Sequence, residues 1–260
     1  MSKPKFSRYI GIDYSGGQTS TTPLVGLQVY VAKKGEKPEP EPPKDSPNWT
    51  RKTIAEWLVD TLTEKTPTLI GIDHGFSFPQ PYFDRYARDG LKRTWPAFLK
   101  DFQSHWPTGK DKFSVSFVRK NSGAKRLGDS HWRRLTEERA RGAKSVFQFN
   151  VPGQVAYATH AGIPWLLFLR KKFGRCVHFW PFDGWDIPEN SSAIVEIYPT
   201  LFSHCFAPED RNPDQHDAYS VAAWMSESDR NGRLERFLKP ELNREQKKRA
   251  RIEGWILGVA

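Results

Sequence analysis

The chain contains the tetrapeptide Ile-Gly-Ile-Asp twice, at Ile10–Asp13 and at Ile70–Asp73. Each copy closes a short apolar run, Arg8 to Asp13 and Thr68 to Asp73, and each is followed by turn residues, Ser15-Gly16-Gly17 and His74-Gly75. A short apolar run bounded by turn signals reads as a buried strand. Between them, Asn48 or Thr50 can cap a helix whose apolar positions Ile54, Trp57, Leu58 and Leu62 recur at helical spacing. Strand, helix and strand with short connections form a parallel pair, because a tight antiparallel hairpin cannot enclose a helix. Asp13 and Asp73 are therefore expected side by side at the carboxyl ends of neighbouring strands, where α/β proteins collect functional groups.

The rest of the chain reads as further elements of one α/β unit spanning residues 1–260. Thr22 to Lys34 suggests a strand with a Gly-marked bend, paired with the first as a hairpin. Gly35 to Asn48, with five prolines, cannot form a central element and is expected as an exposed loop. Gly153 to Lys171 reads as a helix with Pro164 at a kink, and Cys176 to Phe182 and Ser192 to Pro199 as strands, the second carrying Glu196. Asn212-Pro213 is a helix start, and three-residue spacing puts Asp214 and Asp217 on one face of that helix. Asn243 to Gly258 offers a last amphipathic helix with Ile252, Trp255 and Ile256 turned inward.

Charge is concentrated rather than spread. Residues 76–150 hold 16 Lys and Arg against 7 Asp and Glu, a net of +9, while residues 1–75 carry 10 against 9 and residues 151–260 carry 14 against 14. This segment has weak periodicity and reads as a basic helical and loop-rich insertion of about 76–150, with Trp95, Phe98, Phe102, Trp106 and Trp132 interleaved. A local positive field favours a polyanion, and nucleic acid is the expected partner, with Arg133, Arg134 and Lys144 as candidate contacts. The aromatic residues read either as base-stacking platforms or as core. Mean hydropathy is −0.67 and no stretch approaches the roughly 20 apolar residues of a membrane helix, so no membrane is expected and the location reads as cytoplasmic. Cys176 and Cys205 lack zinc-site spacing and read as free core thiols.

Asp13, Asp73, Glu196, Asp214 and Asp217 together form the sequence's chemical proposition. Converging carboxylates repel one another unless protonated or bound to a hard divalent ion, for which Mg2+ or Mn2+ is the natural choice. His74 and His216 flank the acids and read as hydrogen-bonded structural residues.

IGIDYSGG, LIGIDHGFSFP with DRYARDG, SVFQFNVPGQVAYATHAGIPWLLFLR, WPFDGWDIP, VEIYPTLF, DQHDAYSVAAWM and the closing EGWILGV together resemble the DUF429 family across nearly the whole chain. Its members are predicted nucleases of ribonuclease H-like fold. The resemblance implies a mixed sheet flanked by helices, with acids on the first strand, on later strands and on the last helix: Asp13, Asp73 or Glu196, and Asp217 with Asp214. The expected activity is metal-dependent hydrolysis of nucleic-acid phosphodiesters, with Asp13, Asp73, Glu196 and Asp217 catalytic and these four plus Asp214 as metal ligands. GIDYSGG also resembles the opening phosphate loop of actin-like and sugar-kinase-like phosphotransferases, and a non-catalytic nucleic-acid-binding module is the third expectation.

Overall fold

The computed structural model describes residues 5–121, 125–150 and 155–260. The start of the expected helix at Gly153 lies outside them. Strands β1 (Arg8–Asp13), β2 (Gln28–Lys33), β3 (Glu39–Pro40), β4 (Thr68–Ile72), β5 (Val177–Phe179), β6 (Ser192–Ile197) and β7 (Ile256–Leu257) build a mixed sheet in the order β3-β2-β1-β4-β6-β5. The β3-β2-β1 meander is antiparallel, and β1, β4, β6 and β5 are parallel. β7 pairs in parallel with the carboxyl end of β6, opposite Glu196 and Ile197, while β5 takes the amino end of that strand. The region expected as a strand from Thr22 is extended only from Gln28; residues 19–27 form turns and irregular backbone.

Helices cover both sheet faces. Helix α1 (Arg51–Thr63) begins at a Thr50–Thr53 capping box and buries Ile54, Leu58 and Leu62, the stripe its periodicity predicts. The basic segment contains α2 (Gln80–Tyr86), α3 (Trp95–His105), α4 (Val115–Asn121) and α5 (Leu135–Arg139). Helix α6 (Val155–Phe173) runs through Pro164, and α7 (Pro213–Arg230), α8 (Leu234–Leu238) and α9 (Arg244–Glu253) follow β6. Ile10, Ile12, Ile70, Ile72 and Ile194 face a core shared with α1, α3 and α6. Tyr9, Leu69, Ala193, Val195 and Ile197 face a second core formed with α7 and α8. This is the period-two alternation of strands buried on both faces.

The insertion belongs to the first core and does not hang from it. Trp95, Phe98, Phe102 and Trp106 are each at most 2% exposed, packed with Phe78, Tyr82 and α6 residues. Their burial removes four of the five named aromatics from any stacking role; Trp132 is half-buried. The expected C-terminal helix stops at Glu253, because Gly254 turns the chain at φ 83° and the apolar residues beyond it enter the sheet as β7. Both cysteines are free but exposed rather than in the core. No helix among the described residues is long and apolar enough to cross a membrane.

Candidate functional site

The site begins with the register of β1 and β4. Gly11 lies beside Gly71 and Ile12 beside Ile72, and the Asp73 N–H donates to the Ile12 carbonyl at 3.0 Å, so the ladder continues to the acids. Alternation then fixes their direction: Tyr9, Gly11 and Asp13 look the same way, as do Leu69, Gly71 and Asp73, toward α7. The two glycines make room for that helix. A Cβ on Gly11 would stand 2.1 Å from the Ala218 carbonyl oxygen, and one on Gly71 would stand 2.8 Å from Val221 Cγ1. Asp217 lies one helical turn before Val221, and Asp214 three residues earlier on the same face. The Gly-x-Asp spacing of each strand thus admits α7 and aims a carboxylate at its amino-terminal turns.

Helix α7 is fixed at both ends. The Asn212 carboxamide accepts from the Gln215 N–H at 2.9 Å and the Gln215 side chain accepts from the Asn212 N–H at 3.1 Å, with Pro213 opening the helix. At the other end buried Asp229 accepts from the N–H groups of Lys5 and Phe6 and from the Tyr9 hydroxyl at 2.7 Å, tying α7 to the start of β1.

Four acids influence one another's protonation. Asp13 is pushed well above the ordinary carboxylate range, first by burial and then by Asp73, Asp214 and Asp217. Asp73 is raised by burial, then by Asp217 and Glu196, and Asp217 by burial and Asp214 against the opposing effect of His216. No cationic side chain is among the groups acting on Asp13 or Asp73. In the side-chain positions present, no three His, Cys, Asp or Glu among the described residues converge to hold one metal ion. The donor set itself, three half-buried carboxylates, suits a hard divalent ion better than any softer metal.

Glu196 departs from the expected role. It pairs with Ile72, not with Asp73, so it is in phase with the isoleucines and points to the opposite sheet face. There both its oxygens are engaged: Arg134 Nη2 donates to Oε1 at 2.6 Å, and Arg134 Nη1 and the Phe76 N–H donate to Oε2 at 2.7 and 3.0 Å. Arg134 is 1% exposed and also donates to Glu137 Oε1 at 2.7 Å, which removes it from the nucleic-acid contacts. Burial alone would lower the Arg134 pKa; Glu196 and Glu137 hold it above its usual value. Glu196 is therefore a structural partner of Arg134 and not a free ligand. Arg133 is half-buried, with Nη2 donating to the carbonyls of Glu137 and Ala143, so its first task is to hold the α5 segment. Lys144 alone of the three is exposed, and it lines a hollow with Asp73 and Glu196.

Sequence reasoning missed Arg51. Buried under the turn after β1, it donates to the carbonyls of Ser15, Gly17 and Gln18 at 2.7 to 3.1 Å and fixes the backbone beside Asp13. Its position at the first turn of α1 carried no local signal. His74 is a core residue: its ring meets Tyr14 edge-on at 4.6 Å, Nδ1 contacts the Gly75 carbonyl at 2.9 Å, and burial lowers its pKa to about 4. His216 Nε2 lies 3.1 Å from the Ser203 carbonyl. Both histidines thus keep the structural role the sequence suggests.

No family model matches the chain, and no curated protein or solved structure matches it.

Proposed function

We propose that the sheet is ribonuclease H-like, that the chain is a DUF429-type protein, and that it hydrolyses phosphodiester bonds of nucleic acid with the help of Mg2+ or Mn2+ held by Asp13, Asp73 and Asp217. The observation that carries this reading is the pair of strand-end aspartates facing an acidic helix turn that two glycines admit to close range. Asp214, in the first turn of α7, belongs to the same acidic region and would complete an outer set of ligands.

A bound divalent ion would supply an activated water and charge stabilisation at the phosphoryl group. The chain's own residues prepare for it. Arg51 keeps the turn after Asp13 rigid, Asp73 is held by the β1–β4 ladder, and α7 carries Asp217 as part of an anchored helix. Lys144, exposed at the hollow beside Asp73, can neutralise an approaching phosphate. Glu196 and Arg134 act through structure, tying the start of α5 to β6, and the Leu135 N–H donates to Glu253 of α9 beside them.

The phosphate-loop alternative finds less support. The backbone carbonyls of Ser15, Gly17 and Gln18 are turned to Arg51, and a Cβ on Gly16 would stand 2.1 Å from the Tyr157 carbonyl carbon, so this turn is packed against α6.

The test is cleavage of labelled single-stranded and duplex oligonucleotides by the purified protein with Mn2+, Mg2+ or chelator, in parallel with Asp13→Asn. Cleavage that requires the metal and disappears in Asp13→Asn is expected, because the change removes charge at nearly constant volume. Cleavage in chelator, or equal rates in parent and variant, overturns the reading.

A further inference from the structure

Three hollows lie next to one another along residues 128–150. The first, about 50 Å³, is the one beside Asp73, with Lys144 at its rim. The second, about 350 Å³, shares Ala143 and Lys144 with the first and adds Arg141. The third, about 520 Å³, shares Ser130 and Gln148 with the second and ends over Trp106, Phe149 and His160. Shared walls make these a chain of depressions leading from Asp73 to a largely buried aromatic floor.

The chemistry changes along the chain in a definite way. Around the second hollow the one acid, Glu138, is met by Arg249 at 3.3 Å, while Arg141 and Lys144 form no ion pair among the described residues. No acidic residue lines the third hollow. Its Arg119 lies over the Phe149 ring at 4.6 Å and donates to Tyr157 and Asn150, without a carboxylate partner among the described residues. Ser130, Gln148 and Asn150 supply hydrogen-bonding groups at the wall. Among the side-chain nitrogens of that floor, Trp106 Nε1 donates to the Arg126 carbonyl at 2.9 Å and one atom of His160 is left over. His160 is fully buried, its Nδ1 is 2.8 Å from the Ala156 carbonyl, and its Nε2 has no partner among the described residues. Burial lowers this imidazole's pKa to about 3, so Nδ1 carries the proton toward Ala156 and Nε2 is a bare acceptor.

We propose that these hollows form a groove for one unpaired nucleic-acid strand, which enters the acid site past Lys144 and Arg141 and seats a nucleoside in the third hollow, with its phosphate on Arg119. This deepens the nuclease reading and rests on it for the direction of the strand, since the acids define the reacting end. A volume of about 520 Å³ is within the range of pockets that hold small organic ligands, roughly 300–1,000 Å³. Cationic side chains follow the backbone, and the half-buried Phe149, on a floor whose Trp106 and His160 are buried, offers a base apolar contact. A paired duplex keeps its bases stacked inside and cannot offer one to that floor.

The experiment is fluorescence anisotropy of a labelled single strand of about ten nucleotides, and of the same sequence as a duplex, in chelator so that binding is read without turnover. The parent is expected to bind the single strand about tenfold tighter than the duplex, and Arg119→Gln is expected to weaken single-strand binding about tenfold. Ser130→Glu, at an exposed position between the second and third hollows, should weaken it comparably without disturbing the fold. The slope of log affinity against log salt should fall by about 0.7 for each phosphate contact removed. Parent-like binding by both Ser130→Glu and Arg119→Gln, or duplex binding as tight as single-strand binding, overturns the groove. Loss of binding in the groove variants together with a parent that cleaves nothing in Mn2+ would sink the nuclease reading and leave the groove standing. Metal-dependent cleavage whose KM is unchanged in the groove variants would do the reverse.

Discussion

Asp13 is the residue on which the site turns, and its charge has a measurable cost to the folded protein. Its folded-state pKa is raised by burial and by three neighbouring aspartates, and those of Asp73 and Asp217 are raised as well. A carboxyl group whose folded pKa exceeds the unfolded value of about 3.9 adds stability that is fully present below that value and lost as pH rises through the folded pKa. The buried histidines act in the opposite sense. His74 and His160 have folded values near 4 and 3, below the unfolded 6.5, so acid favours their unfolded forms. The difference in melting temperature between parent and Asp13→Asn isolates the acids. In chelator the variant is expected to melt higher than the parent at neutral pH, with the gap closing as pH falls toward 4. Mn2+ at about 100 times Kd should stabilise the parent by about 2.7 kcal/mol, and the variant by much less. Equal metal-induced shifts in both proteins would place the ion elsewhere.

At the scale of elements, the contact between β1 and α7 sets the geometry of the acids. The helix comes close only because Gly11 and Gly71 have no Cβ, and anything larger meets the backbone of Ala218 or the side chain of Val221. Backbone cannot yield as a flexible side chain can, so overpacking here is expected at or above the usual range of about 1–3 kcal/mol. Gly11→Ala should therefore lower the melting temperature and, by lifting α7 from the sheet, also weaken Mn2+ binding. Thermal melting with and without Mn2+ reads both effects. A variant that keeps the parent's metal-induced shift would show that α7 does not position the ligands. The Arg134–Glu196 pair is the corresponding device on the opposite face: it joins the start of α5 to β6, and removing one partner of such a buried pair costs about 3–5 kcal/mol.

Across the whole molecule, the basic segment does two jobs at once. Its apolar side chains complete the core above α6, while Arg119, Arg141 and Lys144 remain at the groove. Deleting residues 76–150 would strip α6 of the aromatics packed on it, so the shortened chain is expected to lose its cooperative melting transition. Far-UV circular dichroism and a thermal scan check this. A shortened protein that still melts sharply would mean that the segment is an independent appendage.

The sequence alone determined the backbone of this arrangement. The two Ile-Gly-Ile-Asp runs with a capped helix between them fixed a parallel pair with acids at one end, and Asn212-Pro213 fixed where α7 starts and hence which face Asp214 and Asp217 share. These signals are local, lying within one turn or one strand, and the β2–β3 meander inserted between β1 and α1 leaves the parallel pairing of β1 and β4 unchanged. The tertiary structure decided what local signals cannot carry. Glu196 and Arg134 are 62 residues apart, and whether they meet depends on the one-residue phase between β4 and β6, which swaps every side chain from one sheet face to the other. The same holds for Ile256 and Leu257, whose apolar character suits a helix face or a strand equally until Gly254 and the open end of β6 choose the strand. It holds too for the insertion's aromatics, which composition leaves free to stack on a base or to fill a core. Packing against α6 assigns Trp95, Phe98, Phe102 and Trp106 to the core, because burying their large apolar area there removes it from water.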